Sequence, residues 1–283
     1  MNERLPDMLA VVLTLVPVRP PEGDRSLPRW WGRAAHAAFL QAIASQLPSL
    51  ADQLHDSSLP RPFTVSNLMG KFNQGVPLST EAYRLRLTSL TNDLSSAFTA
   101  ALSDGGALSP GAVLDLDYLP FTITHVTSAD TPWTGADRYA DVLQRCTLSA
   151  VQPDRRLRFQ FASPTCFHQA EKTMPLPLPD LVFGSLLQRW NAFAPLTLPD
   201  ETRRYAAECL AISNFHLSSR LAGLKETGLR VGCSGSVTYT SLNPDRYWLG
   251  LMHALAEFAL FSGVGISTAQ GLGQCRSLAD PAL

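Results

Sequence analysis

The sequence lacks the features that mark secreted, membrane-spanning and metal-binding proteins. Its five cysteines lie 20 or more residues apart, so none forms the Cys-x-x-Cys pair of a zinc or redox site. We therefore expect reduced thiols, no metal and no other cofactor. The apolar run Met8–Val18 is interrupted by Pro17, lacks a small-residue cleavage site and predicts a strand. No segment reaches the ~18 to 20 apolar residues of a membrane span, so we expect a cytoplasmic protein with no membrane partner.

An excess of positive charge is absent as well. Lys and Arg total 23 against 24 Asp and Glu, which gives a net charge of −1. Such a chain has no overall attraction for nucleic acid or an anionic membrane, so any anion-binding surface must be local. Lysine is rare: it accounts for three of the 23 basic residues, and the other 20 are arginines. The planar guanidinium of arginine suits phosphates and stacked bases.

The first half of the sequence combines strand patterns with two helical stripes. Residues 83–90 alternate apolar and polar side chains, and the apolar positions of residues 28–47 recur at four-residue spacing. The predicted helices are 28–47 and 91–103, and the predicted strands are 8–18, 63–69, 83–90, 112–119 and 121–126. This order, β, α, β, β, α, β with one strand left over, is that of a split βαβ or ferredoxin-like domain.

The second half repeats this order of elements without repeating the sequence. The predicted helices are 179–193 and 245–261, and the predicted strands are 155–163, 211–217, a segment bent at Gly232 and Gly235, and 271–277. We therefore predict an α+β fold of two tandem ferredoxin-like domains with antiparallel sheets. The N-terminal domain is predicted to span residues 1–138 and the C-terminal domain residues 139–283.

A glycine-rich segment, FSGVGISTAQGLGQC, lies between the last predicted helix and the last predicted strand. Its glycines are Gly263, Gly265, Gly271 and Gly273. A dinucleotide-binding glycine motif follows a strand and opens a helix, so the order here excludes that interpretation. Backbone N–H groups in a glycine-rich turn can form a concavity for phosphate, and Ser267, Thr268 and Gln270 would add side-chain donors. The alternative is a flexible loop that binds no ligand.

The densest group of basic residues lies at the start of the second predicted domain. It consists of Arg145, Arg155, Arg156 and Arg158. Strand alternation places Arg156 and Arg158 on one face of a strand and Arg155 on the other. These side chains are either a track for RNA phosphates or the solvated edge of a strand.

Two of the six histidines are candidates for chemistry. His36 lies on the apolar stripe of the first helix, where a satisfied core histidine is the simpler interpretation. Ser49 and Asp52 resemble a capping box that opens a second, short helix, which ends near His55. Because carbonyl groups at a helix C-terminus favour a protonated imidazole, and the following loop is polar, His55 is expected to be accessible and titratable.

Three separated parts of the sequence resemble one family. The ending AEFALFSGVGISTAQGLGQCR resembles the glycine-rich loop of the repeat-associated RNA-binding proteins of CRISPR systems. FASPTCFH and MPLPLPDLVFGSLLQRWNAFAP resemble the central region of the Cas6 family, the endoribonucleases that cut precursor CRISPR RNA within its repeats. RAAHAAFLQAIASQLPSLADQLHDSSLPRPFTVSNL resembles that family's first helix and the segment after it. The resemblance covers most of the chain in order and implies a pair of ferredoxin-like domains.

The resemblance also implies a reaction and a site. The family's reaction needs no metal, because the 2′-hydroxyl of the RNA attacks the adjacent phosphate and leaves a 2′,3′-cyclic phosphate. A histidine in the LH position before the PFT strand often works in catalysis, which makes His55 the first candidate and His36 the second. Some members also have a tyrosine in the first helix and a lysine before the FT strand, where this chain has Leu40 and Arg61. Leu40 cannot transfer a proton, whereas Arg61 could stabilise phosphate charge.

Two other functions fit the same sequence. One is a non-catalytic RNA-binding subunit of a CRISPR effector complex, with the same fold and glycine loop. The other is a protein-interaction domain whose apolar patches bind complex partners. CRISPR repeat RNA is the expected ligand of the enzyme, other effector subunits are candidate partners, and no DNA partner is predicted. The exposed position expected for His55 favours the enzyme.

Overall fold

The architecture is that of two separate compact units. A computed structural model describes residues 5–20, 27–50, 60–224 and 228–278. The first unit comprises Met1–Ala136 together with Ala269–Gly271, and the second comprises Asp137–Thr268 together with Leu272–Leu283. A three-residue segment near the end of the chain is thus part of the unit formed by its beginning.

In the part of the first unit that the structure describes in full, two helices accompany a sheet built from most of the strands. The helices are α1 (Gly32–Ala44) and α2 (Asn92–Leu102). The strands are β1 (Met8–Pro17), β2 (Phe63–Val65), β3 (Phe72–Asn73), β4 (Val76–Pro77), β5 (Tyr83–Ser89), β6 (Val113–Leu116), β7 (Leu119–Thr127) and β8 (Gly135–Asp137). The strand order is β2-β5-β1-β7-β6, β8 pairs with β1, and β3 and β4 form a separate hairpin.

Hydrophobic alternation explains how this sheet packs against its helices. Along β1, Leu9, Val11, Leu13 and Leu15 are buried at every second position and join one core with the apolar face of α1. That core also includes Ala269, from the segment near the end of the chain. Ignoring β6 and β8, the order β2-β5-β1-β7 with α1 and α2 between strands is the ferredoxin-like arrangement that the sequence predicts.

The second unit repeats this arrangement and adds two helices and a hairpin. Its helices are α3 (Tyr139–Thr147), α4 (Pro179–Phe193), α5 (Glu201–Cys209) and α6 (Arg246–Ser262). Its strands are β9 (Arg156–Thr165), β10 (Phe167–Gln169), β11 (Lys172–Met174), β12 (Leu210–Leu224), β13 (Gly228–Ser241) and β14 (Cys275–Leu278). The sheet order is β12-β13-β9-β14, and β10 pairs with β11. All these strand pairs are antiparallel.

Aromatic side chains form the centre of the second core. Phe159 on β9 meets Phe183 on α4 edge to face, with ring centroids 5.8 Å apart, and Tyr239 on β13 contacts both rings. Such pairs contribute roughly 0.5 to 1.5 kcal/mol each beyond the area that they bury. The buried face of β9 is therefore fixed, and its alternate residues form the open face of the sheet.

Several predicted boundaries differ from those observed. The helix predicted over 28–47 spans Gly32–Ala44, and the N–H of its N-cap residue Trp31 donates to Asn67 Oδ1 at 2.7 Å. The strand predicted at 271–277 is Cys275–Leu278, since Gly273 donates to Pro164 O outside the sheet ladder. The strand predicted at 211–217 extends from Leu210 to Leu224.

Three short and largely polar elements were not predicted from the sequence, namely α3, α5 and the β10–β11 hairpin. The helix predicted to end near His55 falls mostly within residues 51–59, outside the described residues. In the part of the chain that is described, no helix has the length and apolar character needed to cross a membrane. All five cysteines are free thiols.

Candidate functional site

The glycine-rich segment of the second unit is held by bonds from its own backbone. Gly265 donates its N–H to Ser185 Oγ at 2.9 Å, and Ile266 donates to Cys166 O at 3.0 Å. Gly273 donates to Pro164 O at 3.0 Å, and Val264 donates to Gly273 O at 2.9 Å. Four amides are therefore already satisfied within the unit, so a phosphate could accept from them only by replacing these bonds.

Gly265 and Gly273 are required by both backbone angle and space. Their φ angles are 79° and 66°, in the left-handed region that disfavours residues with a Cβ. A Cβ on Gly265 would overlap Cys166 O, and a Cβ on Gly273 would overlap Val264 O. Close packing of backbone against backbone is thus a sufficient reason for these two glycines.

The polar side chains of the same segment differ in exposure. Thr268 is 2% exposed, whereas Ser267 is half-buried and adopts a φ of 56°, unusual for a residue with a side chain. The proposed contacts of Ser267 and Thr268 with RNA stay predictions. Thr268 would have to leave its buried position to meet a ligand.

A cation that the sequence analysis missed lies against this segment. Arg189 on α4 is 9% exposed, and its Nη2 donates to Gly265 O at a long 3.4 Å. Burial lowers the pKa of Arg189 to about 10, with the Cys275 thiol acting in the opposite direction, so the guanidinium stays charged at neutral pH. The signal was visible in the sequence, because arginine occupies a position of the apolar stripe that begins with Val182 and Leu186.

The remaining loop residues, Ala269–Gly271, pack within the first unit. His36 Nδ1 lies 2.9 Å from Ala269 O, and Trp30 Nε1 donates to Gln270 O at 2.7 Å. Gly271 forms a parallel bridge with Ser66. The backbone of this segment is therefore fixed by side chains near the start of α1.

His36 makes contacts that explain it without catalysis. Its ring is half-buried and packs on Phe63, with ring centroids 5.1 Å apart. Because a carbonyl oxygen can only accept, the contact with Ala269 O requires the proton on Nδ1. This arrangement agrees with a satisfied core histidine, and a role in proton transfer stays a prediction.

The other predicted catalytic residues precede β2. Arg61 is half-buried two residues before that strand begins at Phe63. His55 lies outside the described residues, so its role stays a prediction. Of the predicted site residues in the first unit, His36 contacts Ala269, the residue that precedes Gln270 and Gly271.

The basic strand β9 presents two of its predicted arginines on the open face of the second sheet. Arg156 is opposite Thr240, and Arg158 is opposite Thr238 on β13. Arg155 instead donates Nε and Nη2 to Ser241 O at 2.9 and 2.6 Å. The alternation predicted for the three arginines is therefore observed, and their contacts with RNA stay predictions.

Arg276 on β14 extends this open face. It pairs in register with Gln160 and donates Nε to Gln160 Oε1 at 2.9 Å, and burial lowers its pKa. The glycine-rich segment bonds to β9 at Pro164, which is six residues from Arg158, or roughly 20 Å along a strand. Arg156 and Arg158 thus lie near the start of β9, whereas the glycine-rich segment contacts the end of that strand.

The other basic residue of the predicted cluster has a structural partner. Arg145 on α3 forms ion pairs with Asp137 and with Glu257, the latter at 2.6 Å. It is therefore already engaged within the second unit. Among the described residues, no group of three or more His, Cys, Asp or Glu side chains could hold a metal ion.

The two sheets have the strand order of ferredoxin-like domains, and a glycine-rich segment precedes the last strand. These two features define the class of fold to which the chain is similar. The family model described as CRISPR-associated endoribonuclease Cas6 matches residues 159–275. The CRISPR-associated endoribonuclease Cas6 of Mycobacterium tuberculosis is 28% identical over 200 residues, which is 70% of this chain. The chain spans 60% of the length of the curated relatives it matches.

Solved structures extend the likeness to nearly the whole chain. A product complex of a Thermus thermophilus Cas6 is 26% identical, with a TM-score of 0.79, and the match covers 96% of this chain and 99% of that one. Another structure of that protein has a TM-score of 0.69 at the same identity and coverage. This chain is therefore similar to Cas6 proteins, and the predicted fold of two ferredoxin-like domains is confirmed.

Replacing Gly273 by alanine tests whether close backbone packing requires the glycine. Gly273→Ala should lower the free energy of unfolding by about 1 to 3 kcal/mol more than Gly228→Ala, because the first adds an overlap with Val264 O. Gly228 is a matched control in the same unit: its φ is 72° against 66° for Gly273, and a Cβ there would meet nothing within 4 Å. Urea denaturation measures both variants. Equal losses would mean that backbone angle alone explains Gly273.

Proposed function

We propose that this chain is an endoribonuclease that cleaves precursor CRISPR RNA within its repeats. The observation that carries the proposal is the likeness to Cas6 structures through both units, including one solved as a product complex and one as a substrate mimic complex. Since the chain matches 60% of its curated relatives' length, activity and substrate are transferred as a proposal. Repeat RNA is the proposed ligand, and the cytoplasm is the proposed location.

The proposed reaction uses a nucleophile that RNA already carries. A general base removes the proton of the 2′-hydroxyl, and the oxygen attacks the adjacent phosphorus in line with the departing 5′-oxygen. A general acid protonates that oxygen, so the products are a 2′,3′-cyclic phosphate and a 5′-hydroxyl. A histidine with a pKa near neutrality can perform either transfer, which typically accelerates a reaction by roughly 10²- to 10⁴-fold.

We assign the proton transfer to His55 and charge stabilisation to Arg61. His36 is the weaker candidate, because its Nδ1–H is directed to Ala269 O and its ring packs on Phe63. The guanidinium offers N–H donors and no acceptor, so the proposed role of Arg61 is to bind phosphate charge. The glycine-rich loop and the open face of β9 are the proposed contacts for the RNA backbone.

His55→Ala should slow cleavage of repeat RNA by at least ~10²-fold, because one proton transfer is lost. RNA affinity should stay nearly unchanged, because no phosphate contact is removed. Single-turnover cleavage and a gel shift measure the two quantities. His125→Ala is a control, since His125 is an exposed histidine of β7 outside the proposed site. Full cleavage by His55→Ala, with loss of cleavage in a folded His36→Ala variant, would assign the role to His36.

Arg158→Ala should weaken RNA binding most at low salt. Loss of one phosphate contact reduces the slope of log K against log salt concentration by about 0.7 for single-stranded RNA. Arg204→Ala is the matched control, because it removes the same charge from an exposed arginine of α5 that pairs with Glu208 at 3.2 Å. An unchanged salt slope in Arg158→Ala would contradict a phosphate track along β9.

Cleavage should proceed fully in excess EDTA, because internal attack by the 2′-hydroxyl needs no metal-activated water. Replacing the nucleotide 5′ of the scissile phosphate by its 2′-deoxy form should abolish cleavage while leaving binding intact. Gel electrophoresis of end-labelled RNA measures both. Activity that is lost in EDTA and restored by Mg²⁺ or Mn²⁺, or that survives the deoxy substitution, would refute the mechanism.

The same assays separate the alternative functions. Tight binding of repeat RNA without cleavage would favour the non-catalytic subunit of an effector complex, and absence of RNA binding would favour a protein-interaction domain. Association with other effector subunits is a further prediction that copurification would test.

A further inference from the structure

The guanidinium of Arg189 in the second unit is buried and poorly satisfied. Its side chain is 9% exposed, and its Nη1 has no hydrogen-bond partner among the described residues. The Nη2 contact to Gly265 O is 3.4 Å, at the long limit for a hydrogen bond. A buried charge that is this poorly satisfied destabilises a fold. A gain in ligand binding would offset this loss of stability.

The position of Arg189 indicates where that gain arises. Ser185 and Arg189 lie one helical turn apart on α4, and both contact Gly265, Ser185 at its N–H and Arg189 at its carbonyl. The charge therefore lies directly against the glycine-rich segment. Ser267, two residues further, has the left-handed φ of 56°, a strained conformation of the kind found at functional sites.

The surrounding chemistry favours an anion as the ligand. Among the described residues, no carboxylate forms an ion pair with Arg189, and the Cys275 thiol partly opposes the lowering of the Arg189 pKa by burial. In a chain of net charge −1, a cation without an acidic partner is a local source of positive potential. Such a charge acts strongly on a nearby phosphate, because it lies in a medium of low dielectric constant.

We propose that Arg189 supplies the positive charge with which the glycine-rich segment attracts a phosphate of bound RNA. The inference rests on the proposed function for the identity of the ligand. It adds a charged residue to a motif that otherwise offers backbone and neutral side chains. It also explains why an arginine occupies an apolar stripe of α4 despite its unfavourable burial.

The test compares folding and RNA binding in the same variants. Arg189→Met keeps an unbranched side chain of similar reach and removes the charge, so its melting temperature should equal or exceed that of the wild type. Its affinity for a fluorescently labelled repeat RNA should fall at least tenfold. Arg204→Met, which removes an exposed charge of α5, should bind within about threefold of the wild type.

Arg189→Lys provides a second variant that keeps the charge but not the planar fork. Its affinity should exceed that of Arg189→Met, and should increase as the pH is lowered from 8 to 6, because a buried lysine regains its proton. Wild-type affinity in Arg189→Met, or equal affinity in the two variants at pH 6, would overturn the proposal. A clear fall in the melting temperature of Arg189→Met would also overturn it, because the charge would then serve the fold.

Binding and cleavage are measured separately, so the two proposals can fail independently. RNA that binds through Arg189 but is never cut would refute the endoribonuclease and leave this inference standing. Cleavage and affinity that are unaffected in Arg189→Met would do the reverse.

Discussion

The glycine-rich segment depends on backbone groups that approach more closely than a side chain would allow. In the second unit, Gly265 packs against Cys166 O and Gly273 against Val264 O, and a Cβ at either position would overlap the carbonyl oxygen. The same contacts connect the segment to the end of β9 and to α4 through Pro164 and Ser185. The backbone arrangement of the glycine-rich segment therefore depends on the absence of a Cβ at Gly265 and Gly273.

This constraint changes the meaning of the repeated Gly-x-Gly pattern. A sequence pattern of this kind suggests amides that are turned toward a ligand. The amides of Gly265 and Gly273 instead bond to Ser185 and Pro164. The pattern identifies the correct segment, but its glycines first satisfy the packing of the protein. Charge for a ligand would then come from side chains, and Arg189 is a cation in contact with the segment.

Elements with one buried face were predictable from the sequence, and long-range contacts were not. The predicted helix 179–193 matches α4 residue for residue, and the strand predicted at 83–90 is β5, because burial of one face imposes the period. The strand β12 is longer than predicted, since both of its faces are largely exposed and carry no such period. The contact of His36 with Ala269 joins residues 233 positions apart, and local pattern contains no information about such a pair.

The open face of the second sheet determines what kind of information it could read from a nucleic acid. Along β9 and β13 it presents Arg156, Arg158, Thr238 and Thr240, which are guanidinium and hydroxyl groups without an aromatic ring. Sheets of related topology that bind single-stranded RNA stack its bases on aromatic side chains. A strand of RNA lying here would be held by its phosphates and sugars. Affinity along these two strands would then increase with the number of nucleotides that they cover.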